Sequence, residues 1–334
     1  MTGSVRRAAA GAEVSTGGSL ISDAKLKQLY ATMVRCRLLT QHAAGRRKQL
    51  ASLYHASMGQ EAIAAGWVID LRPADTIALA PDDSIARLVR GVPLGEIVAQ
   101  LYARRSSTNH SQTSSANDSA YNIIPPSCTA EQFSVVTEVA SAHKRKKKGN
   151  VVVAFTSMAT NAGAHWNEAL ELAAKRSLPI IFVVENNPWF APSFNPSLEP
   201  SLGRSFGPWK EHAGSQAIDE EGFLQSARSY GLPAITVDGN DVVAVYRVAY
   251  ESLERVRQGG GPVLVEGRIY RQAGHAKSGP PRRGDRDPLT HMERYLKAKR
   301  LFTARWKDQL VLEFSQELDA AIKAARKAHR LAYL

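Results

Sequence analysis

From Val151 onward, short apolar runs alternate with stretches of helical periodicity. Val151–Phe155, Ile180–Val184, Ala234–Val237 and Val263–Glu266 have strand length, are rich in β-branched residues and are bounded by Gly, Pro, Asn or Asp. That pattern predicts buried strands. Between them the spacing predicts helices from about His165 to Arg176, from Asp219 to Tyr230 and from Asp241 to Gln258. Gly259-Gly260-Gly261-Pro262 stops the last of these and launches the final strand. Near the amino end, Ser22 to Arg47 reads as a helix, capped by Ser22-Asp23, with Leu26, Leu29, Met33 and Leu38 among its apolar positions. Ser106 to Ser115 is poor in apolar residues and reads as a loop. Strands alternating with helices predict an α/β fold: a doubly wound, mostly parallel sheet with helices on both faces. Such sheets bind ligands beyond the carboxyl ends of their strands. Attention therefore falls on Thr156-Ser157-Met158 and on Glu185-Asn186-Asn187, which follow the first two runs.

Composition narrows the class. With 334 residues, 44% of them hydrophobic, the chain can bury a sizeable core. No apolar stretch reaches the roughly 20 residues that a membrane helix needs. Met1 to Leu20 lacks the apolar centre of a secretory signal and reads as a disordered tail, leaving 21–334 as a single domain with helical extensions at both ends. Arg6 and Arg7 precede the first acid, Glu13, which is compatible with a mitochondrial leader, but two arginines carry little weight. Cys36 and Cys128 are too few for a disulfide framework, so the expected compartment is the cytoplasm. The balance of 43 basic against 31 acidic residues gives +12, with the sharpest cluster at Lys144-Arg145-Lys146-Lys147-Lys148. This run reads as a solvated helix end whose cations meet the negative pole of the helix dipole, with binding of nucleic acid or another polyanion as the minor alternative.

Several segments, in order and spacing, carry a family resemblance. They are HASMGQEA at His55 to Ala62, VVENNPW at Val183 to Trp189, YGLPAITVDGND at Tyr230 to Asp241, GGGPVLVEGRIYR ending at Arg271, Gly274-His275, and DPL at Asp287 to Leu289. Together they resemble the alpha subunit of the decarboxylating component of 2-oxo acid dehydrogenase complexes, the pyruvate and branched-chain type. The resemblance implies a thiamine-diphosphate-binding fold, thiamine diphosphate and magnesium as cofactors, and assembly with a beta chain as two alpha and two beta chains, or as a homo-oligomer. It also implies roles for single residues. Asn187 would offer its side-chain oxygen and Trp189 its backbone carbonyl to magnesium. His55, Arg271 and His275 match positions facing the substrate channel and the phosphate-side loop.

The departures fall on contacts to that same cofactor. Depending on register, the family's metal-binding Asp falls on Met158 or on Ser157, and no acid occurs between Glu138 and Glu168. Magnesium prefers charged oxygen ligands, whereas a thioether is a poor donor and a neutral hydroxyl a weak one. The family's Tyr-Arg pair, which grips the diphosphate, falls on Pro81-Asp82, and a nearby His falls on Ser84. At an effective dielectric near 20 a unit-charge pair about 4 Å apart is worth roughly 4 kcal/mol, so replacing Arg by Asp turns attraction into repulsion of similar size. The segment from Ile123 to Val139, where the family's backbone approaches the cofactor closely, contains no glycine.

Each site residue also has a plainer reading. Asn186-Asn187 can close a turn, His55 can be a satisfied structural histidine, Arg271 can pair with Glu266, and Trp166 is expected in the core or at a subunit contact. Loss at several contacts of one ligand favours a noncatalytic or impaired relative that serves as a structural or regulatory partner. The alternative is an active oxidoreductase subunit that decarboxylates a 2-oxo acid with a beta chain, the carbanion chemistry being supplied by the cofactor.

Overall fold

The computed structural model describes residues 21–44, 58–80, 85–103, 117–125, 131–157, 164–186, 220–269 and 286–331. The element order is α1 (Asp23–Ala44), α2 (Glu61–Val68), β1 (Thr76–Ala78), α3 (Ile85–Arg90), α4 (Leu94–Ala103), a 3-10 turn (Asp118–Tyr121), β2 (Ile123–Ile124), α5 (Glu131–Lys146), β3 (Val152–Ser157), α6 (Ala164–Lys175) and β4 (Ile180–Asn186). There follow α7 (Glu220–Ser229), β5 (Ala234–Asp238), α8 (Val242–Arg257), β6 (Val263–Arg268), α9 (Pro288–Ala298) and α10 (Ala304–Leu331). The strands form one six-stranded sheet in the order β2-β1-β3-β4-β6-β5, and every neighbouring pair is parallel. The expected doubly wound architecture is therefore present.

Alternation along the strands explains the layers. Val153, Phe155, Ile181, Val183 and Val265 face one core, against Ile63 and Trp67 of α2 and Val245 and Ala249 of α8. Val152, Ala154, Phe182, Val184 and Leu264 face the other, against Val136 of α5, Trp166 and Leu170 of α6 and Leu224 of α7. Both faces are covered, which is why the strands read as continuous apolar runs rather than as alternating ones. Trp166 meets Phe133 and Phe182 edge-on, at ring-centroid distances of 5.1 and 5.4 Å, as the core reading anticipates. A third cluster joins Leu26, Leu29 and Met33 of α1 to Leu289, Met292 and Leu296 of α9.

The element boundaries differ from the sequence expectation in informative ways. β3 and β4 run on to Ser157 and Asn186, so the polar residues that close the two apolar runs still belong to the ladder. α1 ends at Ala44 within the described residues. The glycine-free segment starting at Ile123 is divided: Ile123–Ile124 is the edge strand β2 and Glu131 opens α5, while 126–130 lie outside the described residues. β1 and β2, three and two residues long, escaped the periodicity argument because such short strands carry no period of their own. The expected tail, 1–20, and the expected loop, 106–115, also lie outside the described residues. Among the described residues no helix is long and apolar enough to cross a membrane.

Candidate functional site at the carboxyl end of the sheet

Register sets the floor of the site. Ser157 of β3 pairs with Glu185 of β4, Glu185 with Gly267 of β6, and Asn186 with Arg268. A Cβ on Gly267 would stand 2.5 Å from Ile63 Cδ1, the far end of that side chain, so the missing Cβ leaves room for Ile63 of α2 on the strand. The approach places Gly59 and Gln60, just before α2, over the ends of β4 and β6.

Two buried carboxylates organise this end. The Glu185 carboxylate accepts from Gln60 Nε2 at 2.6 Å, both side chains being buried. Glu266, on the opposite face, accepts from Asn186 Nδ2 at 2.6 Å and from Thr236 Oγ1 at 2.8 Å, with Arg268 Nε at 3.4 Å. Gln60 Oε1 is buried and has no hydrogen-bond partner among the described residues. Backbone contacts bind the loops together: Ile269 N donates to Asn186 O at 2.7 Å, and Gly239 N donates to Arg268 O at 2.8 Å. Asn240 Nδ2 donates to Gly59 O at 2.9 Å.

A charged clamp sits behind α2. Glu61 accepts from Gly59 N at 2.9 Å and from Arg37 Nε at 2.5 Å, and Arg37 Nη2 reaches Asp287 Oδ1 at 2.7 Å. Burial works against the Arg37 charge, but Glu61 and then Asp287 outweigh it and push its pKa above the ordinary range. Burial would raise the Asp287 carboxyl, whereas Arg37 and the hydrogen bonds from Thr290 hold it below its usual value. The GQEA, ENN, DGND, EGR and DPL segments, dispersed over more than two hundred positions, thus converge on one end of the sheet.

Of the site residues named from sequence, Ser157 is placed at the end of β3, beside Glu185. His55, Arg271, His275, Asn187, Trp189, Met158 and Asp82 lie outside the described residues. The structure adds Gln60, Glu185, Glu266, Asn240 and Arg37. Glu185 and Glu266 had a sequence signal, an acid in an otherwise apolar run as in VVENN and VLVEGR, which marks a buried group that needs a partner.

Among the described residues this end presents two carboxylates, Glu185 and Glu266, while the positions that the resemblance assigns to magnesium, Asn187, Trp189 and Met158, lie outside them. Both carboxylates already accept hydrogen bonds from amide side chains, and the strand position facing Glu185 is a serine. No group of three or more His, Cys, Asp or Glu able to hold a metal ion occurs among the described residues. What the described residues provide is a buried, hydrogen-bonded polar floor.

Comparison with known proteins accounts for this convergence of motifs. A family model described as the dehydrogenase E1 component matches residues 30–194 and 213–333. The chain belongs to the dehydrogenase E1 component family. Among similar proteins is the pyruvate dehydrogenase E1 component subunit alpha-3, chloroplastic, of Oryza sativa subsp. japonica. It is 28% identical over 315 residues, covering 87% of this chain and 70% of the relative. The pyruvate dehydrogenase E1 component subunit alpha of Porphyra purpurea is 31% identical over 236 residues, covering 68% of this chain and 63% of the relative. The subunit alpha of acetoin:2,6-dichlorophenolindophenol oxidoreductase of Bacillus subtilis (strain 168) is 26% identical over 263 residues, covering 77% and 73%. This E1 chain is thus alpha-subunit-like, and its matched part spans between 63% and 73% of those relatives' lengths.

Proposed function

We propose that this E1 alpha-like chain is noncatalytic or impaired as a thiamine-diphosphate enzyme and serves as a structural or regulatory partner in an assembly with a beta chain. One observation carries the reading: where the family places its magnesium carboxylate the sequence offers Ser157 or Met158, with no acid from 139 to 167 to replace it. Asp82 in place of the diphosphate-gripping Arg adds repulsion. In this reading residues 21–334 form one thiamine-diphosphate-fold domain, and His55, Asn187, Trp189, Arg271 and His275 are remnants of the ancestral site. The compartment we assign is the cytoplasm, from the scarcity of cysteine.

Calorimetric titration of thiamine diphosphate with magnesium into the purified chain, alone and coexpressed with its beta partner, tests the proposal. The expected result is no detectable heat from a folded, assembled protein. Micromolar, magnesium-dependent binding would instead show a site rebuilt from other ligands and would restore the reading of an active decarboxylating subunit.

A further inference from the structure

The end of the sheet opposite the candidate site carries charge that nothing described so far uses. α5 closes on Lys144, Arg145 and Lys146, and Lys147 and Lys148 follow it, all five exposed. Lys147, at φ 52°, and Gly149, at φ 70°, turn the chain back toward β3, so the last two lysines lie beyond the helix. A helix terminus is stabilised by cations within its last turn only, and further like charges at the same place repel one another. Helix capping therefore does not account for the whole run.

Neighbouring elements add to the cluster. Lys144 Nζ donates to the carbonyl of Arg176, which places the exposed Arg176 beside the run. Arg72 Nη1 lies 3.8 Å from where a Cβ on Gly149 would stand, and the Arg257 carbonyl lies 4.0 Å from the same point. His143 Nε2 is 2.9 Å from Thr76 Oγ1 at the start of β1, and the His143 imidazole is held below its usual pKa by burial first and by Lys146 next, against the pull of Asp75. Asp75 is itself buried and already bound by Arg257 Nη2 at 2.8 Å and by Val151 N at 3.0 Å. Among the described residues no carboxylate forms an ion pair with any member of the run.

We propose that this basic pole, formed by Lys144–Lys148 with Arg72 and Arg176, docks an acidic, Asp- and Glu-rich segment of a protein partner. Two features select that chemistry over nucleic acid. The exposed groups are mainly ammoniums, mobile point charges that match scattered carboxylates. Binding of single strands uses aromatic platforms for base stacking, and the one large exposed aromatic among the described residues, Tyr250, stands two turns before Arg257 on α8. Because β1 and β3 begin here and the candidate site lies where they end, docking is independent of the cofactor reading.

The test uses the full chain and fluorescence anisotropy, with a labelled oligoglutamate peptide and a duplex DNA of equal net charge as probes, each titrated across a salt series. The expected result is saturable oligoglutamate binding that weakens with salt and exceeds binding of the duplex. The Lys146→Glu/Lys147→Glu/Lys148→Glu variant should lose about tenfold or more in affinity, since the salt-dependent part of such binding scales with the cations engaged. Arg305→Glu/Lys323→Glu/Lys327→Glu on α10 changes net charge equally and should bind as the parent does. Lys146→Gln/Lys147→Gln/Lys148→Gln adds no carboxylate to a helix carboxyl terminus and should weaken binding in the same direction. Equal losses in the two glutamate variants, tighter binding of the duplex, or no saturable binding of the peptide would each overturn the proposal.

Discussion

Arg37 shows how much can depend on one buried cation. It bridges Glu61, at the start of α2, and Asp287, at the start of α9, so it joins two segments 226 positions apart in sequence. Removing one partner of a buried ion pair leaves uncompensated charge, which costs about 3–5 kcal/mol. Arg37→Ala should lower stability by that amount in urea denaturation, while a change of similar size at the exposed Arg35, half open to solvent, should cost little. The pH dependence follows from Asp287. Its folded-state pKa lies below the ordinary 3.8, so the unfolded chain takes up the proton first as pH falls. The stabilisation is complete above that ordinary value and is lost as pH drops through the folded one. Urea midpoints measured through this acid range should therefore fall more steeply for the parent than for Asp287→Asn. Parallel curves would show that Asp287 is not held low. At this scale sequence gave partial notice: Glu185 and Glu266 stand out as acids in apolar runs, but their donors, Gln60 and Asn186, are found only by folding the chain.

At the scale of elements, close approach rather than propensity positions the site. Gly66 lies within α2, where glycine is unfavourable by about 1 kcal/mol relative to alanine. A Cβ there would come within 2.6 Å of Val245 Cγ1 and 3.1 Å of Tyr246 N, so the residue lets α2 lie against α8. Gly66→Ala should consequently destabilise by about 1–3 kcal/mol by overpacking, although helix propensity alone would favour it. A thermal melt decides the sign: a raised midpoint would mean that α2 shifts freely. That shift would also carry Gln60 away from Glu185, so the packing of two helices and the polar floor are one structural unit. The long elements were legible because each buries a regular face. Asp241, predicted as the start of a helix, accepts from Val243 N and Ala244 N at 2.9 and 3.2 Å and caps α8. The short strands β1 and β2 were not legible, since they exist only through their neighbours in the ladder.

For the molecule as a whole, family membership and the two charged ends set the expectations. Coexpression with a beta chain should yield a hetero-oligomer of two alpha and two beta chains by light scattering, and a monodisperse monomer from that coexpression would count against the assembly. Sequence by itself determined the class of fold, since strand-length apolar runs alternating with helical stretches have few ways to bury both faces of a sheet. It also determined the family, through the order and spacing of several motifs. Only the tertiary structure decided that Gln60 meets Glu185 at the end of β4, that Asn240 holds Gly59, that Arg37 joins Glu61 to Asp287, and that Arg72 and Arg176 join the lysine run at the opposite pole. The physical reason is range. Periodicity and capping are written within a few residues of one another, whereas the pairing of buried polar groups and the summing of surface charge depend on segments that become neighbours only once the core has closed.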